Sequence, residues 1–227
     1  MDGSSPPRQI SFDRDPAETV GIPIWSPAGD KIVFVRINAG VPPREWLINP
    51  DGSGAHEFLP DGKAAVWSAQ GQWLYYTDRK NCIEKISMAG GAVEKVRCEA
   101  NSTGISSDGS TMYYVPSVIK QNEIFKAQPA NGPGHLFARY SPSRTPWSPN
   151  NYALSPDDRW LAVPLKDAGT TNIWTISTAN GSFHQITDFQ RPTLIARQVS
   201  WAPDGKSIYA AVVDIDADVV SFDGMLP

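Results

Sequence analysis

Apolar and polar residues alternate along short stretches of the chain, as in KIVFV (31–35), WLYYT (73–77) and SIYAAV (207–212). A period of two residues is typical of β-strands with one buried face. Each stretch follows a short apolar run and a tight turn rich in Pro, Asp and Gly, such as PAGD (27–30). No segment has the 3.6-residue period of an amphipathic helix. The pattern therefore predicts an all-β protein.

The unit of strand, turn and strand occurs five times. The copies align on Ser26, Ser68, Ser106, Ser155 and Ala202, with spacings of 42, 38, 49 and 47 residues. Periods of this length, built only of strands, are typical of β-propeller blades. Each of the first four copies continues into a third strand, a Gly-containing turn and a fourth strand, as in WLINPDGSGAHEFL (46–59). We predict a single domain over residues 1–227 with five blades, each with strands a to d counted from the channel outwards.

The two ends of the chain complement each other in this repeat. The fifth copy stops without a strand d, whereas RQISFD (8–13) resembles HQITDF (184–189), strand d of the fourth copy. We expect the N-terminal strand to complete the last blade and close the ring, because closure removes exposed strand edges. The alternative is that the chain is a fragment of a six-bladed propeller.

The elements WSPAGDKIVFV, APDGKSIYAA and NPDGSGAHEFL resemble the bacterial TolB-type, WD40-like propeller repeat over almost the whole chain. The resemblance implies the fold but no single function. Such blades occur in the periplasmic protein TolB, in propellers attached to kinases and winged-helix regulators, and in peptidases of the prolyl oligopeptidase type. The stretch from Trp201 to Met225 looks most like a sensor-type propeller. TolB has six blades and an extra N-terminal domain, so its partners are not carried over.

Charge and hydropathy exclude some classes of function. The net charge is −4, and no dense run of Lys and Arg is present, which argues against nucleic-acid binding. No apolar run approaches the roughly 20 residues of a membrane-spanning helix. The stretch MDGSSPPRQISFD lacks the pattern of a signal peptide, so we expect a cytoplasmic protein or a mature or excised piece of a longer one. We further expect a monomer with no cofactor.

The two cysteines, Cys82 and Cys98, flank the hairpin segment CIEKISMAGGAVEKVRC. Folding of this hairpin brings them nearly opposite each other. Two buried free thiols and a cross-strand disulfide in an oxidising compartment are both compatible with this arrangement. The hairpin cysteines and the TolB resemblance favour the periplasm.

Metal binding has few candidates. Three histidines follow the c–d turns of their blades at equivalent positions, which the ring spreads apart: His56, His135 and His184. Asp214, Asp216 and Asp218 alternate like the start of a calcium loop, but Val219 and Met225 stand where an EF-hand requires Gly and Glu. These aspartates remain a weak Ca²⁺ candidate, with a solvated surface as the alternative.

Catalysis lacks the groups that it requires. The chain has no G-x-S-x-G motif and no room for an α/β-hydrolase domain. Five-bladed glycosidases place acids on the innermost strands, but the predicted strands a, namely IPIW, AAVW, TGIS, YALS and RQVSW, contain no Asp or Glu. We therefore expect a protein that is not an enzyme.

Aromatic residues indicate a binding site. Seven of the eight tryptophans repeat at blade positions expected to pack between blades; Trp147 is the exception, in ARYSPSRTPWSPNN, the longest d–a connection. Long loops with aromatic and Arg residues often bind partners; the alternative is a structural loop that covers its own blade. The predicted binding residues, with two on neighbouring b–c connections, are Arg139, Tyr140, Arg144, Trp147, Arg44 and Lys120.

The sequence as a whole predicts a non-catalytic protein-interaction or ligand-sensing propeller. Its partner would be a protein or peptide, or a small ligand, docked over the mouth of the central channel. The alternatives are a hydrolase or lyase whose propeller is the catalytic body, and an accessory propeller of a multidomain enzyme such as a prolyl oligopeptidase-like peptidase.

Overall fold

The computed structural model describes residues 9–11, 18–116, 122–146, 152–167, 169–190 and 194–214. The strands in these ranges form five antiparallel sheets. Blade 1 contains β1 (Glu18–Trp25), β2 (Ile32–Asn38), β3 (Val41–Ile48) and β4 (His56–Leu59). Blade 2 contains β5 (Lys63–Trp67), β6 (Trp73–Thr77), β7 (Cys82–Ser87) and β8 (Glu94–Cys98). Blade 3 contains β9 (Ala100–Ile105), β10 (Met112–Pro116), β11 (Glu123–Ala127) and β12 (Gly134–Arg139).

Blade 4 has a divided first strand. It contains β13 (Thr145–Pro146), β14 (Ala153–Leu154), β15 (Trp160–Asp167), β16 (Thr170–Ser177) and β17 (Phe183–Gln185). Blade 5 is described through β18 (Leu194–Trp201) and β19 (Ile208–Asp214). The described residues contain no helix and therefore none that could span a membrane. The prediction of an all-β propeller is confirmed, and the described residues form four blades of at least four strands in a ring.

The expected closing strand, residues 8–13, falls mostly outside the described residues. Gln9, Ile10 and Ser11 are described and lie outside any strand. Ile10 packs against Ile32 and Ile48 on blade 1. The N-terminal segment thus contacts the first blade, and its pairing with the last blade stays a prediction.

The repeated serine explains why the turn between strands a and b recurs. Its hydroxyl oxygen accepts a hydrogen bond from the backbone N–H five residues later, at 3.0 Å for Ser26 and Lys31 and 3.0 Å for Ser68 and Trp73. The same bond forms in blades 3 and 4. A side-chain oxygen that satisfies a turn amide fixes the turn locally. The repeat is therefore a folding element.

Residues of strand b alternate between the two faces of a blade, so each blade has one apolar face toward the preceding blade and one toward the next. At the interface of blades 1 and 2, Val33 packs with Leu74 and Tyr76. Tyr75 meets Met112 in the next interface. Val33, Leu74 and Met112 have no exposed surface. Burial of this kind contributes about 25 cal/mol per Å² of apolar surface and holds the ring together.

Tryptophans of strand a reach across two of these interfaces. The indole N–H of Trp67 donates to the carbonyl oxygen of Ile24 in blade 1 at 3.3 Å. The indole N–H of Trp201 donates to the carbonyl oxygen of Ala153 in blade 4 at 2.9 Å. The packing role predicted for this position is confirmed at Trp67 and Trp201. Trp25, at the same position in blade 1, is 52% exposed, so its packing against a preceding blade stays a prediction.

The two cysteines form a disulfide. Cys82 and Cys98 are directly opposite each other on β7 and β8 and are bonded. Cys82 is buried and Cys98 is exposed. Of the two alternatives that the sequence left open, the structure therefore has the cross-strand disulfide.

Candidate functional site

The segment predicted to be one long d–a connection is interrupted by strand structure. Thr145 and Pro146 form β13 and pair with Lys166 and Leu165 at the end of β15. Farther along the same strand, Ala153 and Leu154 pair with Ala162 and Leu161. The prediction of a continuous connection from 139 to 150 is therefore wrong, because residues 145–146 already belong to the innermost strand of blade 4. Trp147 lies outside the described residues.

A pocket of about 280 Å³ opens between blades 3 and 4. Four of its five lining residues lie at the end of β12 or in the connection from β12 to β13, which places it on the face formed by the d–a and b–c connections, and the fifth begins β17. We call this the d–a/b–c face and the cavity the arginine pocket. Its lining residues are Arg139, Tyr140, Ser141, Arg144 and Phe183.

Both arginines of the pocket are held by carboxylates. Arg139 donates through Nε and Nη2 to Oε1 of Glu123, at 3.1 and 2.6 Å. Arg144 donates through Nε to Oδ2 of Asp167 at 2.6 Å. The side chain of Arg139 is 58% exposed and that of Arg144 is 31% exposed. The pocket thus presents two oriented guanidinium groups to solvent.

The Arg144 guanidinium also lies over an aromatic ring. Its central carbon is 4.1 Å from the centroid of the Trp174 ring. Trp174 is buried in the core shared by blades 3 and 4. A cation held against an indole face gains electrostatic attraction and loses side-chain freedom. The strand register that positions Trp174 therefore also fixes Arg144.

Tyr140 forms the floor of the pocket and belongs to the core. Its side chain is 2% exposed, and its hydroxyl donates to the hydroxyl oxygen of Tyr152 at 2.7 Å. Its ring meets Phe183 edge to face at 5.5 Å. Burial, together with Tyr152, raises the pKa of Tyr140 well above its ordinary value. Tyr140 therefore supports the pocket wall and offers little surface to a partner.

Arg44 lies on another blade. It is on β3, where Nη2 is 3.3 Å from Oε1 of Glu18 and Nη1 is 3.3 Å from Oε2 of Glu57. Arg36 is 3.4 Å from the other oxygen of Glu18. Arg44 thus belongs to an ion-pair network of blade 1 and does not line the arginine pocket. Lys120 lies outside the described residues.

The ion-pair network of blade 1 includes an acidic residue on an innermost strand. The innermost strand of blade 1 begins at Glu18, several residues before the predicted IPIW segment. An acid is therefore present on a strand a, contrary to the prediction. The ion pairs with Arg36 and Arg44 account for both of its carboxylate oxygens.

Metal-ligating residues do not converge within the described part of the chain. No group of three or more His, Cys, Asp or Glu residues there is placed to hold a metal ion. The three histidines lie on the outer strands of separate blades: His56 on β4, His135 on β12 and His184 on β17. Asp214 ends β19, and Asp216 and Asp218 lie outside the described residues.

One buried acid was missed by the sequence analysis. Glu45 on β3 is 2% exposed and lies at the interface of blades 1 and 2, where it accepts a hydrogen bond from the backbone N–H of Ala65. Burial raises the pKa of Glu45 to about 7, and the hydrogen bond opposes that shift. Strand alternation could have identified it, because Glu45 shares a strand face with the core residue Leu47.

Solved structures similar to this chain are propellers. The putative TolB from Agrobacterium tumefaciens matches with a TM-score of 0.68 and 17% identity over 88% of this chain and 72% of that one. TolB from Acinetobacter baumannii matches with a TM-score of 0.67 and 16% identity, and the chain covers 49% of its length. A nidogen/laminin complex matches with a TM-score of 0.62 and 13% identity over 86% of this chain and 72% of that one.

These identities establish the fold alone. The similar structures also include enzymes, among them a puromycin hydrolase and an oligogalacturonate lyase from Vibrio parahaemolyticus. No protein-family model matches the chain, and no curated protein sequence matches it. The chain is a β-propeller module that resembles the propellers of TolB and nidogen in structure.

Proposed function

We propose that the chain is a non-catalytic binding module that docks a protein or peptide on its d–a/b–c face, through the arginine pocket. The observation that carries the proposal is the pair of oriented guanidinium groups, Arg139 and Arg144, beside Phe183. Rigid loops on a propeller can present such groups without a large entropic cost on binding.

The chemistry of the pocket indicates what a partner must present. Guanidinium groups recognise carboxylates through paired hydrogen bonds and stack on planar groups. Phe183 adds an aromatic surface next to them. The proposed partner therefore carries an acidic side chain or terminal carboxylate beside an apolar group.

An enzymatic function is the second candidate, and Glu18 is the observation that favours it, because it places an acid on an innermost strand. A glycosidase or lyase mechanism would need this carboxylate to be available for proton transfer. Both of its oxygens are instead paired with arginines. This pairing favours a structural role for Glu18 and a binding role for the chain.

The proposal also covers the closure of the ring and the cellular compartment of the protein. We propose five blades, closed by the segment 8–13, and the contact of Ile10 with Ile32 and Ile48 supports this placement. The Cys82–Cys98 disulfide supports an oxidising compartment such as the periplasm. Mass spectrometry of the two cysteines in protein from its native host tests the second point, since free thiols would contradict it.

Binding is tested by affinity capture from extracts of the host, with mass spectrometry of what is retained. The intact chain is compared with Arg139→Ala/Arg144→Ala and with Arg79→Ala as a matched control. Arg79 is also an exposed, ion-paired arginine, but it lies on blade 2. We expect a partner that is retained by the intact chain and the control and lost from the double variant. Equal capture by all three forms would exclude the arginine pocket.

A further inference from the structure

Two neighbouring blade interfaces differ on the face formed by the a–b and c–d turns, opposite the arginine pocket. Between blades 3 and 4, the Asp158 carboxylate in the a–b turn of blade 4 accepts hydrogen bonds from the backbone N–H of Ser107 at 2.9 Å and from its hydroxyl at 2.6 Å. The Thr178 hydroxyl, in the c–d turn of blade 4, donates to the carbonyl oxygen of Asp158 at 2.8 Å. It is also a hydrogen-bond partner of Tyr113 in blade 3. Side chains of blade 4 thus complete this interface.

The equivalent interface between blades 2 and 3 lacks both of these side chains. In the repeat alignment, Gly109 of blade 3 stands at the position of Asp158. Pro129 in QPANG (128–132) stands at the position of Thr178 in STANG (177–181). The a–b turns have the same left-handed backbone, with φ of 72° at Gly109 and 60° at Asp158. The turn of blade 3 therefore repeats the backbone of its counterpart without the carboxylate.

A pocket of about 200 Å³ lies at this interface. Gly109 and Pro129 both line it from blade 3. Tyr75, Lys85 and Lys95 line it from blade 2. We call it the tyrosine pocket. It lies where the Asp158 and Thr178 side chains lie in the next interface.

Tyr75 offers a hydroxyl to this pocket. It occupies the repeat position of Tyr113 and is 5% exposed. A Cβ at Gly109 would be 3.7 Å from the Tyr75 hydroxyl oxygen. Among the described residues this hydroxyl has no hydrogen-bond partner, whereas that of Tyr113 has Thr178. A hydroxyl that is largely removed from water without a partner loses hydrogen-bond energy, which a ligand in the pocket would restore.

Charge in the tyrosine pocket favours an anion. Lys85 and Lys95 are set against one lining carboxylate, Glu94, whose Oε2 is 3.1 Å from Nζ of Lys85. Lys95 is exposed and has no carboxylate partner within the described part of the chain. The carboxylate of Asp108, next to Gly109, is bonded to hydroxyl groups of its own turn. The Lys95 ammonium group is therefore available to an incoming anion.

We propose that the tyrosine pocket binds a carboxylate, which takes the place that Asp158 holds in the next interface. The Tyr75 hydroxyl and the Lys95 ammonium group donate hydrogen bonds to it, and bonds to a charged acceptor are stronger than neutral ones. The volume lies below the roughly 300 Å³ of pockets that hold drug-sized ligands. The ligand is therefore a small carboxylic acid or a single acidic side chain of a peptide. This site goes beyond the proposed function and does not depend on the arginine pocket.

NMR titration of the full chain tests the proposal with three probes: acetate, the end-capped peptide Gly-Gly-Asp-Gly-Gly and its counterpart with Asn in place of Asp. We expect saturable shifts with a carboxylate probe and none with the Asn peptide. Similar binding of acetate and the Asp peptide would indicate a small acid as the ligand, and binding of the Asp peptide alone would indicate an acidic side chain. Absence of saturable binding by both carboxylate probes, or equal binding of the Asn peptide, would overturn the proposal.

Two conservative substitutions locate the site. Tyr75→Phe removes only the hydroxyl and Lys95→Ala removes the ammonium group, so each should weaken carboxylate binding about fivefold or more. Tyr113→Phe is the matched control, because the hydroxyl that it removes is already bonded within the protein. We expect it to change the affinity less than about twofold. In urea the order reverses, because only Tyr113→Phe removes a hydrogen bond of the folded chain and lowers the equilibrium constant for folding, by about fivefold.

The variant Gly109→Asp copies the arrangement of blade 4. Asp158 already adopts the same backbone conformation, so the new side chain supplies a carboxylate to the pocket from within the chain. We expect a variant that is folded by circular dichroism and no longer binds the carboxylate probes. Unchanged affinity in Gly109→Asp or in Tyr75→Phe would overturn the proposal.

Discussion

The interface between blades 1 and 2 and the facing surfaces of blades 5 and 1 are built from equivalent positions in the repeat. In the first, Trp67 lies over the pair Ile24–Val33 and is 8% exposed. In the second, Trp25 and the pair Ser200–Tyr209 have no described contact of that kind, and Trp25 is 52% exposed. The same residue type at the same position thus differs more than sixfold in exposed fraction.

This difference shows what a repeat sequence determines. The turn and the strand pairs are local, so every copy forms them, as the serine-centred turns show. Burial of the strand a tryptophan depends on the preceding blade, which lies about 40 residues away in the chain or at its other end. Local patterns therefore predict the blade, whereas the blade interface also requires ring closure.

The largest expected loss of stability comes from a change at the interface of blades 1 and 2. Trp67→Ala removes the indole from the interface of blades 1 and 2 and leaves a cavity there. We expect a loss of about 3–5 kcal/mol in the free energy of unfolding, as for other buried aromatic side chains. Urea denaturation measures it. A loss below about 1 kcal/mol would mean that the interface contributes little to stability.

Glu45 makes the same interface sensitive to pH. Its pKa is about 7 in the folded chain, against an ordinary value of 4.5. Between these two pH values the folded chain holds a proton that the unfolded chain has released, so stability falls as the pH rises. The expected loss is about 3 kcal/mol between pH 4.5 and 8.

The variant Glu45→Gln tests that assignment. It resembles the neutral acid, so we expect wild-type stability near pH 4 and greater stability than the wild type at pH 8. Denaturation across this range gives both values. If the variant keeps the wild-type dependence on pH, another group is responsible for it.

Removal of the disulfide tests how much a cross-link within one blade contributes to stability. Cys82 and Cys98 are 16 residues apart and join the two outer strands of blade 2. Replacing both by Ala removes a cross-link that closes a loop of this size, with an expected cost of about 3 kcal/mol. Thermal unfolding of the variant, with and without reductant, measures it. Reductant should lower the melting temperature of the wild type and leave that of the variant unchanged.

The smallest expected loss of stability comes from a change that tests how closely blades 3 and 4 approach each other. A Cβ added at Gly104 in blade 3 would lie 3.1 Å from Cβ of Leu154 and 3.3 Å from Cδ2 of Leu161 in blade 4. Gly104→Ala therefore overfills this interface, at an expected cost of about 1–3 kcal/mol. Gly21→Ala is the control, because its Cβ would meet only Val35 at 3.9 Å. Similar stability for the two variants would indicate blades that move apart readily.

The fold could be predicted from the sequence because its signals are local. Strand alternation, turn residues and the 38- to 49-residue spacing each describe one blade. The cysteine pair was placed correctly for the same reason, since a hairpin fixes its own register. The oxidation state was left open because it depends on the compartment and not on the hairpin.

The candidate site was harder to predict because it depends on contacts between blades. Arg139 and Arg144 were identified from loop composition, and the structure brings them to one pocket. The burial of Tyr140 against Tyr152 and Phe183 has no local signal. The two-residue strand β13 is too short for any pattern, which is why its loop was predicted to be longer.

Closure of the ring requires blade 5 to pack on blade 1, at the positions through which blades 1 and 2 already pack. Hydroxyl-radical footprinting with mass spectrometry measures it most directly, because it compares the solvent exposure of Trp25 with that of Trp67 and of Tyr209 with that of Tyr75 in one sample. A closed ring predicts that Trp25 and Tyr209 are protected to nearly the level of Trp67 and Tyr75. Oxidation of Trp25 and Tyr209 several times faster than their buried counterparts would contradict it.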